Sequence, residues 1–487
     1  MRFCEIQVVG LTLVLGLMIC PRINGDEATG QEDFIRIGGK LCFTDGPVRH
    51  RPAEWRGLSY IGSDDGYLYC FKNDGKQVWK FRGGPSNRKV LGAGRLMSAW
   101  NVSGGPVVHG DRVYFAAGMW PVMGVFVYAL DARSGQVIWK NDSANSIWQS
   151  ETVTEGKGRP EFEPSFISIS PNGQCRVEEG KLIVPCGRSR PAYFDVESGQ
   201  LLTFNQGGLR PWVEKRMGEL QYPDFDKVAE RKQGCFPKND SAEAVLRATE
   251  VREGYCVVIG IGDGLLIKGL IAHSKMRLLV FDKDEGRVSA LRDELVEKEV
   301  YGTRCSVHRL EVAATGLPPY IASLIVINDG AANRLNRGLY ETLRPYGGIL
   351  CLPESQAHLA KSPPIEGTET ARNGRFVLVH RKGALPGVDD WSHEHANASN
   401  TRFSRDDRVR SPFGVLWFGG PSSRPGFYYE NHRLHAMPQV AGGRMFIEGP
   451  KLISCFDVYT GRMLWEWRPP ETDQELWDLD SYVANRQ

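Results

Sequence analysis

A single pattern, met four times, limits what this chain can fold into. "YIGSDDGYLYCFKNDGKQVWKF" spans 60–81 and "RVYFAAGMWPVMGVFVYALDARSGQVIWK" spans 112–140. "KLIVPCGRSRPAYFDVESGQLLTF" spans 181–204 and "RMFIEGPKLISCFDVYTGRMLWEW" spans 444–467. Each reads as two strands, a tight glycine turn and a third strand. The turns are Asp74-Gly75, Ser134-Gly135, Ser198-Gly199 and Thr460-Gly461, and glycine supplies the positive φ such turns need. Alternation as in "YLYCF" and "FVYAL" marks half-buried strands. Trp79, Trp139 and Trp465 each follow their turn glycine by four residues, whereas the third repeat carries Thr203 there. Stacked blade-like sheets would bury both faces, with the tryptophan wedged between neighbours.

These repeats resemble the pyrroloquinoline-quinone (PQQ)-type β-propeller repeat of the quinoprotein alcohol dehydrogenases. "GSDDGYLYCFKNDGKQVWKF" and "VYALDARSGQVIWK" carry the likeness. It implies the propeller fold more than the cofactor. Cofactor-binding members carry adjacent cysteines and calcium-binding carboxylates, and this chain has no Cys-Cys dipeptide. PQQ is therefore not expected. Four repeats are also fewer than a closed propeller of seven or eight blades, so the propeller is expected to be incomplete or completed by another chain.

The repeats are interrupted. From 254 to 352 the pattern turns to strand–helix alternation. "YCVVIGI" (255–261) is a continuous apolar strand of the kind buried on both faces of a parallel sheet. Helices are expected over 265–275, 285–299 and 332–345, and strands over 277–282, 304–310, 321–328 and 347–353. This argues a Rossmann-like, doubly wound α/β domain, with any ligand at the carboxyl ends of its strands. The turn Gly260-Ile261-Gly262-Asp263-Gly264 falls there. Leu265 stands where a dinucleotide fingerprint needs its last glycine, so NAD and FAD fit poorly. Asp282, 22 residues past Gly260, ends the second strand, where a carboxylate can accept ribose hydroxyls.

The glycine spacing, Asp282 and "LRPYGGIL" together look like a class I S-adenosylmethionine (SAM)-dependent methyltransferase. The likeness implies that Gly260, Gly262 and Gly264 border the methionine and ribose of SAM. It implies that Asp282 holds the ribose and that Glu311 lies near the adenine. The acidic position two before the first glycine is Val258, and the NPPY-type catalytic motif is absent. No catalytic residue is named. A turn that keeps its glycines for conformational reasons alone is the alternative reading.

The opening "MRFCEIQVVGLTLVLGLMICPRING" reads as a secretory signal over 1–25, with an uncleaved anchor or a buried segment as alternatives. No other segment is apolar enough for a membrane span. A formal charge of +2 gives no electrostatic case for nucleic acid. Nine of the 11 cysteines lie beyond Gly25, with no CxxC, so metal-cluster spacing is absent. An oxidising compartment would permit disulfides such as Cys175–Cys186, and buried thiols are the alternative. His393 and His395, with His432 and His435, could bind a metal only if the pairs converged, and nothing in the sequence brings them together. The expected organisation is signal 1–25, repeats 26–210, connection 211–250, α/β domain 251–353, linker 354–388 and a last repeat segment 389–487. It is similar to a group of exported bacterial propeller proteins. The expected role is binding or scaffolding in the periplasm or cell envelope, with a protein or propeller-containing partner. An active methyltransferase and a PQQ-dependent oxidoreductase are the alternatives, and SAM is the cofactor the likeness admits.

Overall fold

The computed structural model describes residues 32–144, 147–149, 165–187, 190–204, 234–237, 239–310, 316–328, 330, 335–361, 366–410, 414–419, 437–449 and 452–470. A hairpin of β1 (Phe34–Ile37) and β2 (Lys40–Phe43) opens it. The first four-stranded antiparallel sheet follows, from β3 (Ala53–Trp55), β4 (Leu58–Gly62), β5 (Tyr67–Lys72) and β6 (Gln77–Arg82). A second hairpin, β7 (Lys89–Gly92) and β8 (Arg95–Ser98), leads away from it. The next blade is β9 (Gly104–His109), β10 (Arg112–Ala117), β11 (Phe126–Asp131) and β12 (Val137–Asn141). After the short pair β13 (Ile147–Gln149) and β14 (Ser165–Ile167), strand β15 (Gly173–Gln174) joins β9 in parallel. The third blade is β16 (Arg176–Glu178), β17 (Lys181–Val184), β18 (Ala192–Asp195) and β19 (Leu201–Thr203).

Helix α1 (Asp240–Thr249) begins the α/β unit, capped by Asn239, whose side chain accepts from Ala242 N at 3.0 Å. Then come β20 (Tyr255–Ile259), α2 (Leu265–His273), β21 (Arg277–Asp282), α3 (Glu285–Glu297), β22 (Cys305–Arg309) and β23 (Ala322–Ile327). A short α4 (Arg337–Glu341) precedes β24 (Gly348–Pro353), and a 3-10 segment (Glu354–Lys361) leads to β25 (Thr368–Asn373) and β26 (Phe376–Arg381). The sheet order is β22-β21-β20-β23-β24-β26-β25. The first five strands are parallel and β26 runs against β24 and β25. Their order reverses beside β20, which makes its carboxyl end the switch point of a doubly wound sheet. The linker expected over 354–388 is thus not one: 368–381 builds the last two strands of this sheet. "FVLV" supplies a continuous apolar run to β26, and Phe376, Val377, Leu378 and Val379 are buried.

Alternate residues of the central strands enter two cores. Val258, Leu278 and Val280 pack with Leu246, Leu270, Leu291 and Leu295 of helices α1, α2 and α3. Val257, Ile259, Leu279 and Ile325 pack with Leu339 and Leu343 on the other face. Among the described residues that second face carries only the short α-helix α4, and Leu91 and Leu96 of the β7–β8 hairpin join its core. Tyr255 Oη (2.8 Å) and Arg277 Nη1 (2.6 Å) both donate to Gly94 O at the hairpin turn. Burial on both faces explains the uninterrupted apolar run of β20.

Strand β27 (Trp417–Phe418) adds in parallel to β7. The last blade is β28 (Gln439–Ala441), β29 (Arg444–Gly449), β30 (Leu452–Asp457) and β31 (Met463–Trp467). Trp391 bridges to Val440 at its edge. Cys175 and Cys186 share a core but are not bonded, and no disulfide joins the nine cysteines of the described residues, eight of which are buried. The permitted disulfide is therefore not formed. No helix among the described residues is long and apolar enough to cross a membrane.

Candidate functional site

The turn after β20 lies at the switch point. Gly260, Gly262 and Gly264 have φ of 87°, 61° and 77°, a region that L side chains rarely occupy. A Cβ on Gly262 would also stand 2.6 Å from Asn328 Nδ2. Gly264 is the N-cap of α2 and gives no side-chain cap; Asp263 Oδ1 accepts from Leu265 N at 2.9 Å instead.

Asp282 is buried at the end of β21, facing this turn. Its Oδ2 accepts from Ile261 N at 2.8 Å. Its Oδ1 accepts from Asp284 N at 2.9 Å and from Arg287 Nη2 at 3.2 Å. Three of about four acceptor positions of the carboxylate are thus taken by the protein itself. Arg287 was not apparent as a site residue in the sequence; its place three residues past the N-cap Asp284 is the one local signal. Val258 is fully buried in the helix-side core, where the family has its acidic residue. Of the expected positions, the structure brings Gly260, Gly262, Gly264 and Asp282 together. Glu311 lies outside the described residues, as do His432, His435 and the opening 25 residues. The Asp282 carboxylate, where the likeness implies a ribose, is bound by an arginine and two backbone amides.

A second polar centre joins the first blade to the α/β unit. Arg292 of α3 donates from Nη2 to Asp45 Oδ1 at 2.6 Å and from Nε to Val307 O at 2.9 Å. His308 of β22 stacks on Phe281 with ring centroids 5.0 Å apart, and its Nδ1 lies 3.7 Å from the same Asp45 oxygen. Burial alone would raise the Asp45 carboxyl. The contact with His308 and the charges of Arg292 and Lys80 outweigh it and hold the group well below the usual carboxylate range. Nearby Asp65 is pushed up by burial despite Lys89. Two cavities of about 30 Å³ each flank this contact, one lined by Asp33, Arg95 and Ser306 and the other by Lys80, Lys89 and Leu310. The centre fastens the segment before the first blade to the α/β unit.

The third arrangement is repeated. Trp79 Nε1 donates to Arg133 O of the next blade at 3.0 Å, and Trp139 Nε1 to Val196 O of the blade after that at 3.1 Å. Trp417 Nε1 donates to Val458 O of the last blade at 2.7 Å. Each indole covers a turn glycine: Gly135, Gly199 and Gly461 respectively. The turns are shaped by aspartates. Asp131 Oδ1 accepts from Ser134 N at 2.7 Å, Asp195 Oδ1 from Ser198 N at 2.8 Å and Asp457 Oδ1 from Tyr459 N at 2.9 Å. Trp417 lies outside the glycine-plus-four spacing, which is why that pattern does not reveal it.

The repeat segment is similar to a known family. A PQQ-type repeat family described as outer membrane protein assembly factor BamB matches residues 39–203. No curated protein sequence matches the chain. Among solved structures, BamB from Moraxella catarrhalis is 13% identical, over 40% of this chain and 53% of its own, with a TM-score of 0.23. Quinohemoprotein alcohol dehydrogenase from Comamonas testosteroni is 18% identical, over 40% of this chain and 25% of its own, with a TM-score of 0.23. The chain thus spans about half of the first and a quarter of the second. Precorrin-6y C5,15-methyltransferase from Geobacter metallireducens is 11% identical, over 33% of this chain and 97% of its own, with a TM-score of 0.23. The architecture is four-stranded blades, the first three within the segment similar to the PQQ-type repeat family, interrupted by a Rossmann-like, doubly wound α/β unit.

Proposed function

We propose that this chain is an exported PQQ-like repeat protein acting as a binding and scaffold module, and that its methyltransferase-like insert is structural and binds no SAM. One observation carries the second part: Asp282 is engaged by Ile261 N, Asp284 N and Arg287. A ribose would have to displace a charged partner from a buried carboxylate. The insert instead has a use in the fold, since its sheet shares a core with the β7–β8 hairpin. The signal-like opening supports export, as does the similarity of 39–203 to an outer membrane assembly factor family.

Calorimetry with SAM on the purified chain tests the reading, and no heat of binding is expected at micromolar concentrations. Micromolar affinity that Asp282→Ala abolishes would establish the methyltransferase alternative. Mass spectrometry of the protein recovered from the cell envelope tests export; a mature chain starting near Asp26 is expected, and an intact Met1 in the cytoplasm overturns it.

A further inference from the structure

The forward faces of three blades share one cross-strand row. Tyr60, Cys70 and Trp79 stand side by side in the first blade, and Tyr114, Ala129 and Trp139 in the second. Phe446, Cys455 and Trp465 form the same row in the last blade. The register shifts at the same place in all three, just after Cys70, Ala129 and Cys455. The aromatic pairs agree too, with ring centroids 5.8, 5.9 and 6.1 Å apart. In the first two blades this row is covered by the turn of the next blade. Tyr60 Oη reinforces Trp79 by donating to Ala132 O at 2.8 Å.

In the last blade no turn among the described residues covers this row. Trp465 is 45% exposed, against 8% for Trp139. Ile453 and Trp467, paired with each other beside it, are 39% and 48% exposed. Three large apolar side chains neighbouring one another in register on one face are an interaction surface rather than scattered exposure, and tryptophan is enriched among residues that dominate interfaces.

We infer that this face docks a PQQ-type blade carried by a different polypeptide, through a turn of the form Asp-x-x-Ser/Thr-Gly. The inference rests on the scaffold reading and names the class of its partner. The face continues the blade-to-blade interface the chain already builds twice, which specifies what covers it: a turn carbonyl for the indole N–H and a glycine for its ring. A second copy supplies no such turn from its described residues. Gly135, Gly199 and Gly461 lie under Trp79, Trp139 and Trp417, and Gly75 lies against Lys40 and Cys42 of the β1–β2 hairpin. The third blade, with Thr203 in place of the tryptophan, lacks the anchor.

The test places a photoreactive benzoylphenylalanine at position 465 of the full chain, expressed in its native host, and sequences the crosslinked peptide. The expected adduct joins a different polypeptide at an Asp-x-x-Ser/Thr-Gly turn between two strands. Ile453→Glu, placed on the same exposed face, is expected to lower the adduct yield about tenfold, the equivalent of about 1.4 kcal/mol. The same probe at position 79 must react with the Arg133–Gly135 turn of its own chain. With that control positive, any of four results overturns the inference: a crosslink to 471–487 of the same chain, to a second copy, to a peptide without the turn, or none. SAM calorimetry is blind to this surface, so the two readings fail separately.

Discussion

Trp139 and Trp465 occupy the same row of their blades but differ in what covers them. Trp139 is 8% exposed, with its N–H bonded to the next blade. Trp139→Ala is expected to cost about 3–5 kcal/mol, whereas Trp465→Ala in the isolated chain costs well under half of that; urea unfolding compares them. His50 gives a pH signature. Burial pushes its imidazole down from 6.5 to about 4, opposed by the Asp64 charge. A depressed folded value means that the unfolded chain takes up the proton first. Stability is therefore lost as pH falls from 6.5 towards about 4, by roughly 3 kcal/mol in all. His50→Asn should flatten the unfolding midpoint across that window, and an unchanged slope would show that His50 is not the responsible group.

At the scale of elements, the β7–β8 hairpin acts where a doubly wound unit usually has helices. Leu91 is fully buried and Leu96 nearly so, both against the sheet. Leu91→Ala is expected to destabilise the sheet by about 2–5 kcal/mol, although the hairpin belongs to the repeat segment. Hydrogen exchange reads this directly: protection of β20 and β21 amides should fall together with that of the hairpin. A loss confined to the hairpin would mean that the two elements do not share a core.

Over the whole molecule, the α/β unit is held by both repeat segments. Arg292 pairs with Asp45 near the start, and Arg344 with Asp457 near the end. Arg462 adds a bond to Glu253 at 3.2 Å. Shared core and paired charges predict one cooperative thermal transition. A double-mutant cycle with Asp45→Asn and Arg292→Gln is expected to show coupling of about 0.5–3 kcal/mol. Because Asp45 is held low, its contribution is complete above the usual carboxylate range and is lost as pH falls below it.

What the sequence determined is local. Glycine-plus-four-tryptophan marked the blades because both residues belong to one hairpin, whose register shift fixes their offset. The strand–helix alternation of 255–353 was legible because period and burial are written in neighbouring residues. The 368–381 hairpin was missed because Pro, Gly and charge around it read as a linker, and its strand pattern acquires meaning only beside β24. The tertiary structure alone decided the partners. Trp139 reaches Val196 across 57 positions, and Tyr255 reaches Gly94 across 161. An apolar strand demands cover without saying which segment supplies it. Asp282, likewise, is a carboxylate suited to a ribose until Arg287 and the Ile261 amide are placed on it.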